Sequence, residues 1–333
     1  MISRYFALKK GLFLNIEMPF FSIVLPTYNR AHLITSTIQA VIDQNFTDWE
    51  LIIIDDDSKD NTGEVVAALT DPRIKYFYQE NTERSIARNN GIGKSIGDFI
   101  CFADSDDIWT KDHLSVLYKG ISANNFKPAF YFTSMRWNFP DFKKDVVFES
   151  PVGKNLIEYV IENQIGTPTQ CFHRSILEKY QYNPALVINE DVELTTRIVN
   201  EYPLIQFSDI TVDVIVHGEN TKFTTRDYVT PQIKVMDMIF NNPVLKDKIS
   251  AEFKAKIYHR LHNELRKTRV EMLTAKGDYW PMAGAIINYF VHYPTDPKNK
   301  ERSVLLLYNF PILGPAAKKL FRTAKSTLQK TKG

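Results

Sequence analysis

The chain has 333 residues, 44% hydrophobic and 24% charged, with a formal net charge of +2. That composition is ordinary for a globular protein able to bury a sizeable core, and it excludes disordered and collagen-like chains. The two cysteines, Cys101 and Cys171, are too few for a disulfide framework, and Cys101 lies in an apolar run, so a reducing cytoplasm is the default setting. No stretch reaches the ~18–20 apolar residues of a membrane span. The nearest, residues 304–317, is interrupted by Asn309, Pro311 and Pro315.

The first 18 residues read as an N-terminal extension, non-native or from an upstream start. Arg4, Lys9 and Lys10 flank short apolar pieces without a clean signal core or cleavage site, and Met18 directly precedes the first strand. Residues 20–25 form an apolar strand ending at Pro26, and Leu33, Ile34, Ile38 and Val41 have helical spacing. A strand at 50–54 runs into Asp55-Asp56-Asp57-Ser58. A helix through Val65, Val66 and Leu69, capped by Asn61 or Thr62, stops at Asp71-Pro72. A strand at 74–78, a helix at 85–96 and a strand at 98–103 follow. Strands separated by helical patterns predict an α/β fold with a mostly parallel sheet flanked by helices.

The middle is less regular. It predicts strands at 129–135 and 210–216, short helices at 156–163 and 176–180, and a helix at 191–201 with Leu194, Ile198 and Val199 on one side. From residue 231 the character changes. Residues 231–333 hold 19 Lys+Arg against 8 Asp+Glu, or +11, which leaves −9 for residues 1–230. A long helical pattern at 251–275 carries Phe253, Ile257, Leu261 and Leu265 at four-residue steps. The domain reading is thus an extension at 1–18, a domain at 19–230 with halves at 19–110 and 111–230, and a basic helical C-terminal region at 231–333.

The most informative stretch is Asp104-Ser105-Asp106-Asp107, three carboxylates within four residues at the end of an apolar strand. Carboxylates this close raise one another's pKa, and a hard cation, Mg²⁺ or Mn²⁺, removes the conflict. The alternative is an acidic helix start, with Asp107 capping a helix through Leu114 and Leu117. A second acidic cluster, Asp55-Asp56-Asp57, and the turn Pro26-Thr27-Tyr28-Asn29-Arg30 also end strands. A parallel sheet gathers all three on the edge where ligands bind.

Pro26–Arg30, Ile54–Thr62, Ala87-Arg88-Asn89-Asn90-Gly91-Ile92 and Asp104–Asp107 occur in the order and register of the motifs of family 2 glycosyltransferases, and the chain resembles that family from residue 20 to 109, more loosely to 224. One departure is Asp57, where the family often has Gly. The resemblance implies the GT-A fold and inverting transfer of a sugar from a nucleotide donor, with UDP the usual nucleotide. It places Pro26 and Tyr28 along the base, Asp56 on a base N–H with Asp55 holding the loop, and Arg84 and Arg88 near phosphate or base. For Arg88 a structural ion pair is the competing reading. Asp104 and Asp106 form the DxD pair, Asp106 on the metal and Asp104 on the ribose or the metal. Asn189-Glu190-Asp191 resembles the family's Glu-Asp motif, with Asp191 as general base and Glu190 orienting it or meeting the acceptor. An acidic first turn on a helix dipole is the bland alternative. His217, in a motif resembling a late His-containing one, binds metal or diphosphate, or is structural. His32 and His113 read as surface residues at helix starts, and Trp109 as packing beneath the site.

The implied partners are a nucleotide sugar, a divalent metal (Mn²⁺ or Mg²⁺) and a glycan or lipid-linked acceptor in cell-surface polysaccharide synthesis. An anionic membrane surface ranks first for the basic tail, solubility second and nucleic acid last, because aromatic and basic residues are not interleaved. Localisation is then cytoplasmic, with peripheral attachment to the inner face of the membrane. A sugar-nucleotide pyrophosphorylase is the alternative enzyme, but its Gly-rich loop is missing after the first strand. A non-catalytic glycan-binding module is the third reading, disfavoured by intact Asp106 and Asp191.

Overall fold

A computed structural model describes residues 18–219 and 228–276. The expected N-terminal extension, Asn220 and Thr221 of the His217 motif, and the basic tail beyond 276 lie outside the described residues. The chain divides into a compact unit ending at Ile257 and a second beginning at Tyr258. Among the described residues no helix is long and apolar enough to cross a membrane.

The front of the first unit alternates β1 (Phe21–Thr27), α1 (Ile34–Ile42), β2 (Trp49–Asp56), α2 (Thr62–Ala67), β3 (Ile74–Gln79), α3 (Glu83–Lys94) and β4 (Phe99–Phe102). The four strands pair in parallel in the spatial order β3-β2-β1-β4. The apolar runs of β1, β2 and β4 are buried, as strands covered on both faces require, with Ile23, Leu25, Ile52, Ile53 and Phe102 fully enclosed, while β3 at the edge is half-exposed. Pro26 lies inside β1, opposite Ile54, but β4 stops pairing at Val24–Phe102, so the missing N–H falls beyond that ladder. From β1 the chain turns outward to β2 and β3, then returns to the other side as β4. The carboxyl ends of β1 and β4 therefore flank a topological switch point, where a crevice opens.

The rear is built differently. Its elements are β5 (Ile108–Trp109), α4 (His113–Ala123), β6 (Phe130–Asn138), β7 (Lys143–Val146), α5 (Leu156–Asn163), a 3₁₀ turn at Thr167–Thr169, β8 (Gln170–His173), α6 (Arg174–Lys179), α7 (Glu190–Val199), β9 (Leu204–Ile215) and α8 (Val229–Phe240). A second 3₁₀ turn, Lys246–Lys248, precedes α9 (Ala251–Lys276). The sheet continues β4-β8-β6-β9-β5, with β7 beside β6. Here only β6–β9 is parallel, while β4–β8, β8–β6, β6–β7 and β9–β5 are antiparallel. Cys101 and Cys171 face each other across β4 and β8 as buried free thiols.

Two local expectations change. Asp107 does not cap a helix: β5 intervenes, and α4 starts at His113. The Asp107 carboxylate is buried and accepts the Ile215 N–H at 3.1 Å, tying the acidic loop to the end of β9. His113 is not at the surface. It is fully buried, its Nδ1 lies 2.7 Å from the Thr211 hydroxyl, and burial pushes its pKa down to about 3. Both outcomes depend on β9, which arrives about a hundred residues later and leaves no local trace.

Candidate active site

The loops after β1 and β2 are laced together by short polar side chains. Asn29 Oδ1 accepts the Lys59 N–H at 2.7 Å, and Asn29 N–H donates to Ser58 Oγ at 2.9 Å. Arg30 N–H donates to Thr62 Oγ1 at 3.0 Å, and Ala31 N–H to Asp60 Oδ2 at 3.1 Å. The loops need small hydrogen-bonding residues at these positions because their backbone groups have no strand partner. Asp57 sits at φ +75°, in the left-handed region that favours glycine, which is the physical reason for Gly at this turn. Here the Asp57 carboxylate instead accepts from Lys59 and from the Tyr78 hydroxyl.

Asp55 and Asp56 end β2, and both are buried. Asp55 accepts the Ser58 N–H at 2.9 Å and the Tyr76 hydroxyl at 2.6 Å, so it holds the loop. Asp56 accepts the Thr82 N–H at 2.9 Å and Gln79 Nε2 at 2.8 Å, both on Oδ1. Pro26 lies near the end of β1 beside them, and Tyr28 is 46% exposed just past the strand. Gln79 and Thr82 were not legible as partners of Asp56; they arrive from the far end of β3 and carry no motif.

Past β4, Asp106 is partly buried and His217 Nε2 lies 3.1 Å from its Oδ2. Glu219 N–H donates to His217 Nδ1 at 3.3 Å, which turns Nε2 toward Asp106. Burial first, then the Asp104 charge, raises the Asp106 pKa above the usual carboxylate range; the His217 hydrogen bond acts the other way. Asp107 is raised further, by burial and then by Asp104 and Asp106. The carboxylates of this loop thus repel one another, and a cation beside them would lessen that repulsion. Among the described residues no three His, Cys, Asp or Glu side chains are gathered to hold a metal unaided.

Arg88 is the centre of the site. It is buried on α3, and its Nη1 donates to Glu190 Oε1 at 2.7 Å while Nη2 donates to Asp104 Oδ1 at 3.0 Å. The guanidinium also lies over the Tyr182 ring, 5.3 Å from its centroid. Of the two readings of Arg88, the structure shows the ion pair, and both Nη groups are engaged by carboxylates. Burial opposes the charged form, but Asp104 and Glu190 outweigh it and the Arg88 pKa is raised.

Glu190 and Asp191 open α7 behind Asn189, itself at φ +55°. Asp191 Oδ1 accepts the Val192 N–H at 2.8 Å, and Oδ2 accepts the Thr167 hydroxyl at 3.3 Å. Burial, then the Glu190 charge, raises its pKa to about 6, with Arg88 opposing. A cavity of about 280 Å³ brings Asp191, Glu190, Asp104, Arg84 and Arg88 to one wall system. It also takes in Met135, Trp137, Thr167 and Tyr228, which sequence patterns did not single out. Trp109 is buried below, its Nε1 donating to the Pro168 carbonyl at 3.0 Å.

The family model described as Glycosyl transferase family 2 matches residues 22–181. An uncharacterized glycosyltransferase of Rickettsia conorii is 41% identical over 106 residues, 32% of this chain and 18% of that protein. The chain therefore spans about a fifth of that relative's length. UDP-Glc:alpha-D-GlcNAc-diphosphoundecaprenol beta-1,3-glucosyltransferase WfgD of Escherichia coli is 32% identical over 184 residues, 54% of this chain and 70% of WfgD. Among solved structures, the mannosyltransferase PcManGT from Pyrobaculum calidifontis, in complex with GDP-Man and Mn²⁺, superposes with a TM-score of 0.56 at 18% identity, over 87% of this chain and 85% of that one, a likeness of fold. With its acid-ended parallel strands, its switch-point crevice and an Escherichia coli relative aligned over most of that relative's length, the chain belongs to glycosyltransferase family 2.

Proposed function

We propose that this chain transfers a sugar, with inversion, from a nucleoside diphosphate donor, UDP foremost, to a lipid-linked glycan acceptor in cell-surface polysaccharide synthesis. Residues 19–230 serve as the catalytic domain, with the donor half at 19–110 and the acceptor half at 111–230. The observation that carries this reading is the shared cavity: Asp191, with its raised pKa, opens on the same space as Asp104 and Arg84. WfgD, by its name, uses UDP-Glc and a diphosphoundecaprenol-linked acceptor, which favours the same ligand classes here.

Pro26, Tyr28, Asp55 and Asp56 take the base, with three hydrogen bonds already fixing Asp56 Oδ1 and leaving Oδ2 for a base N–H. Asp106 and His217 fit a divalent cation, Mn²⁺ or Mg²⁺, as a mixed carboxylate–imidazole set, with Asp104 beside them and donor phosphates completing the ligands. Once bound, the cation supplies positive charge against the diphosphate leaving group. Arg84 adds a second cation on the donor side of the cavity. The acceptor hydroxyl attacks the anomeric carbon from the side opposite the diphosphate. The new C–O bond forms as the bond to the phosphate oxygen breaks, and the hydroxyl proton passes to Asp191. A carboxylate with a pKa near 6 is ionised at neutral pH yet basic enough to accept it. Glu190, held by Arg88, fixes the turn that presents Asp191. The +11 charge of residues 231–333 supports peripheral attachment to an anionic membrane.

Asp191→Asn tests the reading. Turnover should fall by about 10²–10⁴-fold, the scale of general-base catalysis, with donor affinity retained. Loss of donor binding would instead assign Asp191 to the donor site or the fold.

A further inference from the structure

The β6–β7 hairpin carries chemistry that the donor side does not use. Antiparallel partners share a face and successive residues alternate. Met135 pairs with Val146 and Trp137 with Lys144, and Phe139 N–H donates to the Phe142 carbonyl. One face therefore holds Met135, Trp137, Phe139, Phe142, Lys144 and Val146. The opposite face holds the Arg136–Asp145 ion pair, at 2.6 Å, and the register partners Asn138 and Lys143.

The first face begins in the cavity, because Met135 and Trp137 line the same space as Asp191. It runs outward as a stack of rings. Trp137 and Phe139 centroids are 6.3 Å apart and 24° from parallel, and those of Phe139 and Phe142 are 4.5 Å apart and 14° from parallel. The outermost ring, Phe142, is 57% exposed. Lys144 is exposed beside Trp137, and no described carboxylate lies within ion-pair distance of it, whereas Arg136 is paired by Asp145. Cross-strand ring pairs stabilise the hairpin, but that alone does not require the stack to start in the cavity, run out to an exposed ring and carry an unpaired cation on its flank. An acceptor that is a sugar at one end, an anion in the middle and a hydrocarbon at the other matches it part for part.

Resting on the transfer reading above, we infer that this face is the acceptor platform for a saccharide joined through a diphosphate to a lipid. The saccharide lays its apolar C–H face along Trp137 at the cavity mouth. Lys144 neutralises the diphosphate. Phe139 and Phe142 cover the first part of the lipid chain.

The test is binding of detergent-solubilised GlcNAc-diphosphoundecaprenol to the full chain by surface plasmon resonance, with an uncharged alkyl GlcNAc as second probe. The wild type binds the diphosphate lipid. Lys144→Ala weakens that binding by roughly tenfold, the scale of one charge-assisted contact, and Lys144→Arg restores most of it. Lys143→Ala, on the opposite face, changes it by less than about twofold, as for an uninvolved surface charge. Trp137→Ala weakens both probes and Trp137→Phe keeps most of the affinity, which separates loss of the ring from loss of fold. Equal effects of Lys143→Ala and Lys144→Ala, unchanged affinity in Trp137→Ala, or no wild-type binding would each overturn the platform. Thermal stabilisation of the wild type by nucleotide sugars is measured alongside. If it persists while lipid binding fails, the platform falls and the transferase reading stands; if no nucleotide sugar stabilises the protein, the transferase reading falls.

Discussion

The two halves of the sheet solve the same problem in opposite ways. In the front half, β1, β2 and β4 are buried runs that pair in parallel, the half-exposed β3 closes the edge, and the acidic residues gather just at or past the carboxyl ends of β2 and β4. Chemistry there is concentrated in short loops. In the rear half, strands are mostly antiparallel, and side chains of the site come from a strand interior, a 3₁₀ turn and a helix start. Chemistry is distributed. Arg88 joins the two, with one Nη on Asp104 of the front and the other on Glu190 of the rear.

The largest effect should come from the concentrated half. Asp106→Ala removes the proposed cation ligand together with the partner of His217. Lewis-acid assistance is worth several kcal/mol, so transfer should fall by about 10³-fold or more, with little change in the unfolding midpoint. Excess chelator should produce a comparable loss in the wild type. Undiminished wild-type turnover in chelator would remove the cation from the site and with it the reason for the acidic cluster.

Next comes the joint. Arg88→Met keeps the volume but leaves Glu190 buried and unpaired. Breaking a buried pair costs about 3–5 kcal/mol, and the lower end applies because the Asp104 side chain is 30% exposed and can turn to water. The double variant Arg88→Met/Glu190→Gln should recover much of that stability, because no buried charge is then orphaned. If denaturant titration finds the single variant as stable as wild type, Arg88 is not the tie between the halves.

What the sequence made legible follows the same division. The positions of the strand-end acids, of Pro26 near the end of β1 and of Glu190-Asp191 at a helix start were readable because each lies at the boundary of a local apolar pattern. The Arg88 ion pair was readable only as one of two options, since its partners lie 16 and 102 residues away. His113 was misread because the strand that buries it, β9, contributes Thr211 from 98 residues downstream. β7 and β8 were missed because strands of four residues carry too few positions for alternation to stand out. Trp137 and Thr167 gave no signal, as their roles arise from the cavity they enclose and not from their neighbours in the chain.

The third prediction uses pH. Burial and Glu190 hold the Asp191 pKa at about 6, above the ordinary carboxylate value of 3.8. A raised carboxylate favours the folded state fully below its unfolded pKa, and that contribution is lost as pH rises from about 4 through 6. Asp191→Asn carries no charge to bury. The variant should therefore gain stability over wild type between pH 4 and pH 8, by about 2–3 kcal/mol from the size of the shift. Wild-type turnover should rise with pH to a plateau just above 6, the limb of a base that works only when ionised. Parallel stability curves for the two proteins would mean that Asp191 is not held protonated by its surroundings.

The smallest effect compares two positions two residues apart in the front half, both on α3. A Cβ added at Gly91 would come 2.3 Å from Val24 Cγ1 on β1, whereas one at Gly93 would meet nothing within 4 Å. The helix rests on the sheet at Gly91, and Val24 is fully buried in the strand that leads to the switch point, so neither partner has room to move. Gly91→Ala should cost about 1–3 kcal/mol, the usual penalty for overpacking a tight core. Gly93→Ala should instead stabilise by up to about 1 kcal/mol, because alanine is the better helix former and here brings no clash. The sign difference is the point of the pair. Opposite signs would show that close helix–sheet contact at Gly91 sets the position of α3, and through it of Arg88 three residues earlier. Two losses of equal size would mean that α3 tolerates no substitution along its length, and that the helix as a whole, not its seat on Val24, positions the arginine.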